Sequence, residues 1–367
     1  VYKGHRCIKK RYFKDIQVYS FPVLLMTLSV ILSMILNGNY TPEYTMRSAS
    51  NILVFLLTIL AVYGCVNLFG KKTIKLCLYG LVLSTIMNVV YTTYLYGFSS
   101  VIYVLLNIVK ASFIPYQEGS ILAETRFSLE VADATFAYGF FFLYYLLFEK
   151  KSKERSHIIF LSIIGMYIGL KRVEIAAILI AIVIYKILIE KKGISRKKVQ
   201  RIFLFVLLTA SFLYLYLMKY HVAIFSFLDQ SRINMYGRLR TLFELNPLYI
   251  GKGYGYVNKW LEEVSSLYYI MSVSHSDLAR MYIELGMIGF ICWLYYYNIS
   301  LPNYFYRYRN TRIGDVVLCF VIVLMITYLI DNTTTLFATQ FCFILIPIAL
   351  AKHENDQLRM REREHDI

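Results

Sequence analysis

Long apolar runs separated by short polar segments dominate the sequence. An α-helix needs about 20 mostly apolar residues to cross the hydrocarbon core of a bilayer, and ten stretches approach this length and character. We therefore predict an all-α polytopic membrane protein with about ten transmembrane helices, and residues 1–367 as a single integral membrane domain. The predicted stretches are 16–36, 51–69, 76–96, 131–148, 158–170, 173–190, 202–219, 277–298, 314–330 and 335–351.

The composition points the same way. Hydrophobic residues make up 58% of the chain and charged residues 17%, with a mean hydropathy of +0.54, whereas soluble domains are about 45–50% apolar and about 25% charged. This excludes a soluble globular enzyme and a disordered protein. The net charge of +16 is distributed between apolar runs, so we expect no nucleic-acid partner.

The basic residues predict the orientation, because cytoplasmic loops are rich in Lys and Arg. With both termini in the cytoplasm, the inner segments contain 26 of the 39 basic residues. The predicted location is the cell (cytoplasmic) membrane. These inner segments are 1–15, 70–75, 149–157, 191–201, 299–313 and 352–367.

Two long connections fall on the predicted outer side. Residues 97–130 include the apolar stretch 98–115, which we interpret as a re-entrant or surface-lying helix because a further span would reverse the basic loops after it. Residues 220–276 form one large outer loop. Long loops on a scaffold concentrate function, so we expect site residues in 220–276.

Three local patterns could carry chemistry. Arg172 lies at the tip of a tight hairpin, either as a snorkelling helix end or as a phosphate ligand. Residues 236–245 predict an amphipathic helix, with Arg238 on a different face from its leucines. The run Gly251–Gly255 lacks the spacing of a phosphate-binding loop and indicates a flexible turn.

A further candidate is His275, which directly precedes a helix that Ser274 or Ser276 could cap. An imidazole at the membrane surface can act as a general base. Glu284 lies deeper in the same helix, and we expect it to pair with Arg280, its i−4 neighbour. The sequence has no CxxC pair, no HExxH and no GxSxG, so it predicts no metal, no cofactor and no serine-hydrolase chemistry.

Taken in order, three pieces resemble the bacterial O-antigen polymerase (Wzy) and O-antigen ligase family. They are the arginine hairpin 169–176, the Gly237-Arg238 pair followed by the turn 246–255, and His275 leading into 284–289. The resemblance covers roughly residues 160–290. The chain departs from the family pattern in having Lys171-Arg172-Val173 at the hairpin and Ser276-Asp277-Leu278 after the histidine.

The resemblance implies a metal-independent, inverting glycosyltransferase of the membrane-embedded C-type fold. Its substrates would be an undecaprenyl-diphosphate-linked oligosaccharide donor and acceptor on the outer face of the membrane, and its partners membrane lipids, a chain-length regulator and a flippase. The implied catalytic residues are His275, Arg172 and Arg238. The expected substrate-binding residues are Arg126, Arg240, Tyr249, Asp277 and Glu284.

Several alternatives remain open at this point. Motifs do not separate a polymerase of O-antigen or capsule from an O-antigen ligase, although the lysine-rich inner loops favour the polymerase. The peptidoglycan glycosyltransferase group (SEDS proteins) shares ten spans and a large outer loop. A lipid-linked oligosaccharide flippase or other transporter is the non-enzymatic alternative, but such proteins typically carry internal repeats, and we find none in the sequence.

Overall fold

The chain folds into helices joined by turns, with no β-strand among the described residues. The structure, a computed structural model, describes residues 13–38, 41–107, 120–130, 132–169, 171–227, 230–268 and 274–365. The all-α prediction is confirmed. The helices are α1 (Phe21–Leu36), α2 (Pro42–Phe69), α3 (Thr73–Tyr96), α4 (Phe98–Leu106), α5 (Ile121–Leu129), α6 (Ala132–Phe148), α7 (Lys153–Gly169), α8 (Arg172–Val183), α9 (Arg196–Tyr220), α10 (Gln230–Leu239), α11 (Tyr256–Tyr268), α12 (Asp277–Tyr295), α13 (Leu301–Tyr308), α14 (Thr311–Ile330) and α15 (Phe337–His365).

Five helical segments among the described residues are long and apolar enough to cross a membrane, and a sixth is added if the bent pair α5 and α6 is one span. One of the five contains both α2 and α3, which a short turn joins. Each of the ten predicted apolar stretches coincides with a helix. The five segments are Phe13–Leu36, Pro42–Tyr96, Arg196–Tyr220, Asp277–Tyr308 and Thr311–Ile330.

The helices divide into a buried centre and an apolar periphery. In an 18-residue apolar stretch of α14, 83% of the residues are buried, whereas in the corresponding stretch of α9 only 22% are buried. Aromatic rings fill the centre: Trp293 of α12 stacks on Tyr328 of α14 with ring centroids 5.4 Å apart. The periphery exposes large apolar side chains, and an exposed apolar surface of this extent is typical of contact with lipid. Examples are Leu53, Leu57 and Leu60 on α2, and Phe205, Val206 and Leu213 on α9.

Ion pairs connect the helix ends in two separate sets. One set joins the segment before α1, the connections α2–α3, α6–α7 and α13–α14, and the starts of α3, α7, α9 and α14. The other set joins α2 to α11, and joins the connections α5–α6, α7–α8, α11–α12 and α14–α15 to one another. The first set is Asp15–Arg309, Lys71–Glu149, Lys75–Glu154, Arg196–Asp315 and Arg312–Glu149. The second set is Arg47–Glu262, Lys171–Glu130, Lys171–Asp331 and His275–Asp331.

Helix α12 is broken at Gly286, where φ is 72° and ψ is −179°. Residues 249–255 lie against this break. The backbone N–H groups of Lys252 and Gly253 donate to the carbonyls of Ile283 and Glu284 at 2.8 and 2.9 Å. A broken helix leaves backbone groups without their usual partners, and the turn supplies substitutes.

The glycine run is therefore not the flexible turn that the sequence suggested. Gly251, Gly253 and Gly255 are buried, and all three have positive φ. Side chains of α1 fix the turn, because Asn37 donates to the Gly251 carbonyl at 2.7 Å and Ser33 to the Lys252 carbonyl at 2.8 Å. The glycines serve close packing of backbone against backbone.

The predicted helix 236–245 is displaced. Helix α10 spans Gln230–Leu239, and the chain then forms a turn. Lys219 of α9 explains the difference, since its ammonium donates to the carbonyls of Arg240 and Phe243 at 3.0 and 2.6 Å. Residues 236–239 are helical, as predicted. Leu239 is buried and Arg238 is exposed, so the two side chains lie on different faces, as the sequence indicated.

The predicted outer segment 97–130 begins with the short helix α4, which packs on α3 and α5. Its buried contacts join Val101, Val104 and Leu129 in a small apolar cluster apart from the main core. The second half of the predicted helix 98–115 lies outside the described residues.

Candidate functional site

His275 is positioned by the start of α12. Ser276 is the N-cap residue, and its side chain accepts a hydrogen bond from the Ala279 N–H at 3.3 Å. This confirms one of the two predicted caps. The cap fixes the direction in which the chain enters the helix, and His275 remains about one fifth exposed just outside it.

Asp331 lies next to His275, at the end of α14. The distance from His275 Nδ1 to Asp331 Oδ1 is 3.9 Å, and the carboxylate is 12% exposed. This is an ion-pair distance, longer than a direct hydrogen bond. Sequence reasoning missed Asp331; the available signal was a carboxylate directly after one of the most apolar stretches.

Lys171 extends this pair into a row of charges. Its ammonium lies 3.5 Å from Asp331 and 2.5 Å from Glu130, and Arg126 lies 3.4 Å from the same Glu130. We call Arg126, Glu130, Lys171, Asp331 and His275 the charge row. It joins four separate parts of the chain, so the row exists only in the folded protein.

Burial lowers the pKa of Lys171, but the facing carboxylates of Asp331 and Glu130 outweigh it, and the net pKa is raised. The contribution of protonated Lys171 to the stability of the fold is therefore complete at pH values below the ordinary lysine pKa of about 10.4. That contribution disappears only as the pH rises through the raised folded value. The lysine is charged throughout the range in which a histidine titrates.

Replacing Lys171 with methionine is expected to destabilise the protein by about 2 kcal/mol, because Glu130 and Asp331 then lose the cation that lies between them. The measurement is the melting temperature in detergent at neutral pH. Lys186→Met is the matched control, since Lys186 forms an exposed i,i+4 pair with Glu190, which is worth less than about 1 kcal/mol. An equal melting temperature for Lys171→Met and the unmodified protein would contradict the role given to the lysine.

Asp277 connects α12 to the segment that carries Asp331. Its backbone N–H donates to the Asp331 carbonyl at 3.1 Å. Its two carboxylate oxygens accept from the N–H and hydroxyl of Thr334 at 2.6 and 2.7 Å, and Arg280 pairs with it at 2.7 Å. The aspartate is fully buried. The structure thus places Asp277 as a positioning residue, behind the surface on which the predicted substrate contact would occur.

Thr334→Val tests this connection. The substitution keeps the shape but removes a hydroxyl donor to a buried carboxylate, which costs about 1–2 kcal/mol. We expect a lower melting temperature, and Thr334→Ser, which keeps the hydroxyl, should restore most of it. Equal loss in the valine and serine variants would show that packing, not the hydrogen bond to Asp277, is what matters at Thr334.

Glu284 and Tyr249 hold the glycine turn against α12. Glu284 is fully buried, and its Oε1 accepts the Val257 N–H at 3.0 Å. The Tyr249 hydroxyl donates to the Ile283 carbonyl at 2.8 Å. Arg280, the expected partner of Glu284, forms its salt bridge with Asp277 instead. Both residues predicted to bind substrate therefore have structural contacts, and Glu284 is not accessible.

The predicted arginines Arg172, Arg238 and Arg240 all have exposed side chains. Arg172 begins α8, directly after Lys171 of the charge row, and its side chain is exposed. Arg238 and Arg240 are exposed at the end of α10. The segment after them is tied to α12, because the Tyr282 hydroxyl donates to the Glu244 carbonyl at 2.8 Å. The helix that presents His275 thus also anchors the chain that carries Arg240.

Among the described residues, no group of three or more His, Cys, Asp or Glu side chains has the arrangement of a metal site. Comparison of the sequence with protein-family models and with curated proteins found no match.

Proposed function

We propose that this protein is a surface polysaccharide polymerase that joins undecaprenyl-diphosphate-linked oligosaccharide repeat units. The observation that carries the proposal is the pairing of His275 with Asp331 inside the charge row. The row lies at one end of a helical scaffold with an apolar periphery, beside the exposed Arg172. A base next to cations, reachable by a membrane-anchored substrate, is what glycosyl transfer from a lipid diphosphate requires.

The chemistry assigns a role to each group. His275 removes the proton from the acceptor hydroxyl, whose oxygen attacks C1 of the donor sugar with inversion. The bond between C1 and the diphosphate oxygen breaks, and the diphosphate leaves with the electron pair. Asp331 stabilises the imidazolium that forms. Arg172, with Arg238 or Arg240, neutralises the charge that develops on the diphosphate, so the reaction needs no metal.

Ten membrane crossings in a C-type arrangement, with both termini cytoplasmic, complete the proposal. The two sets of ion pairs support this count. Members of the first set lie before α1 or after an even number of the ten predicted spans, except Asp315, which lies at the start of the ninth span. Members of the second set lie after an odd number of predicted spans. Contacts confined in this way are expected when each predicted span carries the chain from one side to the other.

This topology predicts opposite labelling of two exposed loop positions, Lys151 and Glu262. In right-side-out membrane vesicles, a membrane-impermeant maleimide should label a cysteine at Glu262 and leave one at Lys151 unlabelled until the membrane is permeabilised. The background for both is a variant without its native cysteines. Labelling of both positions from the outside would contradict the crossing count.

The function is tested by the glycan profile of cells that carry Arg172→Ala, Arg238→Ala or His275→Ala at normal membrane levels. The polymerase proposal predicts that the polymer ladder collapses to a single repeat unit on its lipid carrier. Full-length polymer accumulating on undecaprenyl diphosphate would instead identify a ligase. An unchanged ladder in all three variants would contradict both glycosyl-transfer assignments and favour a transporter.

A further inference from the structure

A cavity of about 140 Å³ lies between α2 and the start of α15. A single water molecule occupies only ~30 Å³, so the cavity has room for a small branched hydrocarbon group. Apolar and polar groups share its wall. The residues on which the argument rests are Val54, Phe55 and Thr58 of α2, Tyr254 of the glycine turn, and Thr334 and Phe337 near α15.

The mouth of the cavity faces the periphery of the helix bundle. Val54 is 45% exposed and Phe337 is 48% exposed. Val54 belongs to the exposed apolar face of α2 that also includes Leu53 and Leu57. Because this face has the character of a lipid-contacting surface, a molecule that reaches the cavity from here comes from within the membrane.

The inner wall of the cavity belongs to the candidate site. Thr334 lines the cavity and also donates to Asp277. Three residues before it, Asp331 pairs with His275. Tyr254 contributes from the turn whose backbone packs on the break in α12. A molecule seated in the cavity thus extends from the lipid to the wall that supports the charge row.

The two ends of this path differ in polarity. Val54, Phe55 and Phe337 provide apolar contacts, whereas Thr334 leads to the buried Asp277 and Arg280. An occupant that satisfies both ends has a hydrocarbon chain and a polar head. A free sugar would have to cross the apolar mouth, where its hydroxyls lose hydrogen bonds to water.

We propose that this cavity binds the isoprenoid chain of the lipid-linked substrate close to its diphosphate. The inference rests on the proposed function, and it adds where the lipid lies: between α2 and α15, beside the wall that supports the charge row. The chain enters sideways from the membrane, through the mouth formed by Val54 and Phe337.

Photolabelling of the purified full-length protein in liposomes tests this assignment. The probe is a polyprenyl diphosphate that carries a diazirine on its first isoprene unit, and labelled peptides are mapped by mass spectrometry. We expect label on residues 51–58 and 334–341, and its loss when unlabelled polyprenyl diphosphate competes. Label confined to other helices, or competed equally well by phosphatidylglycerol, would overturn the proposal.

A matched pair of variants sharpens the result. Val54→Trp fills the mouth and should reduce labelling about tenfold, whereas Leu57→Trp, equally exposed on α2 but outside the cavity wall, should leave it unchanged. Unreduced labelling in a folded Val54→Trp protein also overturns the proposal. Mapping the labelled peptides of the wild-type protein requires neither variant, and it does not require the protein to join repeat units. A failure of this inference can therefore be told apart from a failure of the polymerase assignment.

Discussion

Replacing His275 with alanine is expected to reduce repeat-unit transfer by at least about 100-fold, the usual contribution of a positioned general base. Asp331→Asn should cause a loss of similar size. The reason is geometric: Asp331 lies 3.9 Å from the imidazole, where the proposed mechanism has it stabilise the imidazolium formed during transfer. The measurement is the initial rate of transfer between two lipid-linked repeat units by purified protein.

The double variant, which combines His275→Ala with Asp331→Asn, shows whether the two residues act together or contribute independently to the rate. If His275 and Asp331 act as a unit, the double variant transfers no more slowly than the worse single variant. His221→Ala is the matched control, because His221 is another exposed histidine, just after α9, and should leave the rate unchanged. Losses that multiply in the double variant would contradict a shared role.

The second large effect concerns the glycines that pack the turn onto α12. A Cβ on Gly251 would lie 2.4 Å from the Gly286 nitrogen and 2.6 Å from the Glu284 carbonyl oxygen. Both Gly251 and Gly286 also have positive φ, which costs a side chain about 1–2 kcal/mol. Gly251→Ala and Gly286→Ala are therefore each expected to destabilise the protein by about 3 kcal/mol, combining overpacking with this strain.

Thermal unfolding in detergent measures this effect. Gly80→Ala on α3 is the control, since nothing lies within 4 Å of the added Cβ and alanine is the better helix former. We expect Gly80→Ala to be neutral or stabilising and the two turn variants to melt markedly lower. A normal melting temperature for Gly251→Ala would mean that the turn does not pack on the helix break in the way described.

The sequence predicted the helices well because their signal is local. Each apolar stretch is read from consecutive residues, and Ser276 was one of the two caps predicted for α12 from their place before it. The partners of the site residues were not predictable in this way. Asp331 is separated from His275 by the whole of α12, α13 and α14, and nothing in the local pattern indicates that the two ends meet.

The errors have a common physical origin in tertiary hydrogen bonds. The predicted helix 236–245 ends early because Lys219, on another helix, takes the carbonyls of Arg240 and Phe243. The glycine run looked flexible because its partners, Asn37 and the broken α12, are distant in the chain. Asp277 and Glu284 were expected to bind substrate from the family resemblance, and only the fold shows that both are buried.

Reconstitution tests the central claim most directly. Purified protein in liposomes is given one lipid-linked oligosaccharide repeat unit as both donor and acceptor, in buffer containing EDTA, and the products are separated by size. The account predicts a ladder of polymers on the lipid carrier, formed without metal and abolished by His275→Ala. The account would be contradicted if the intact protein left the repeat units unjoined and the His275→Ala variant gave the same result.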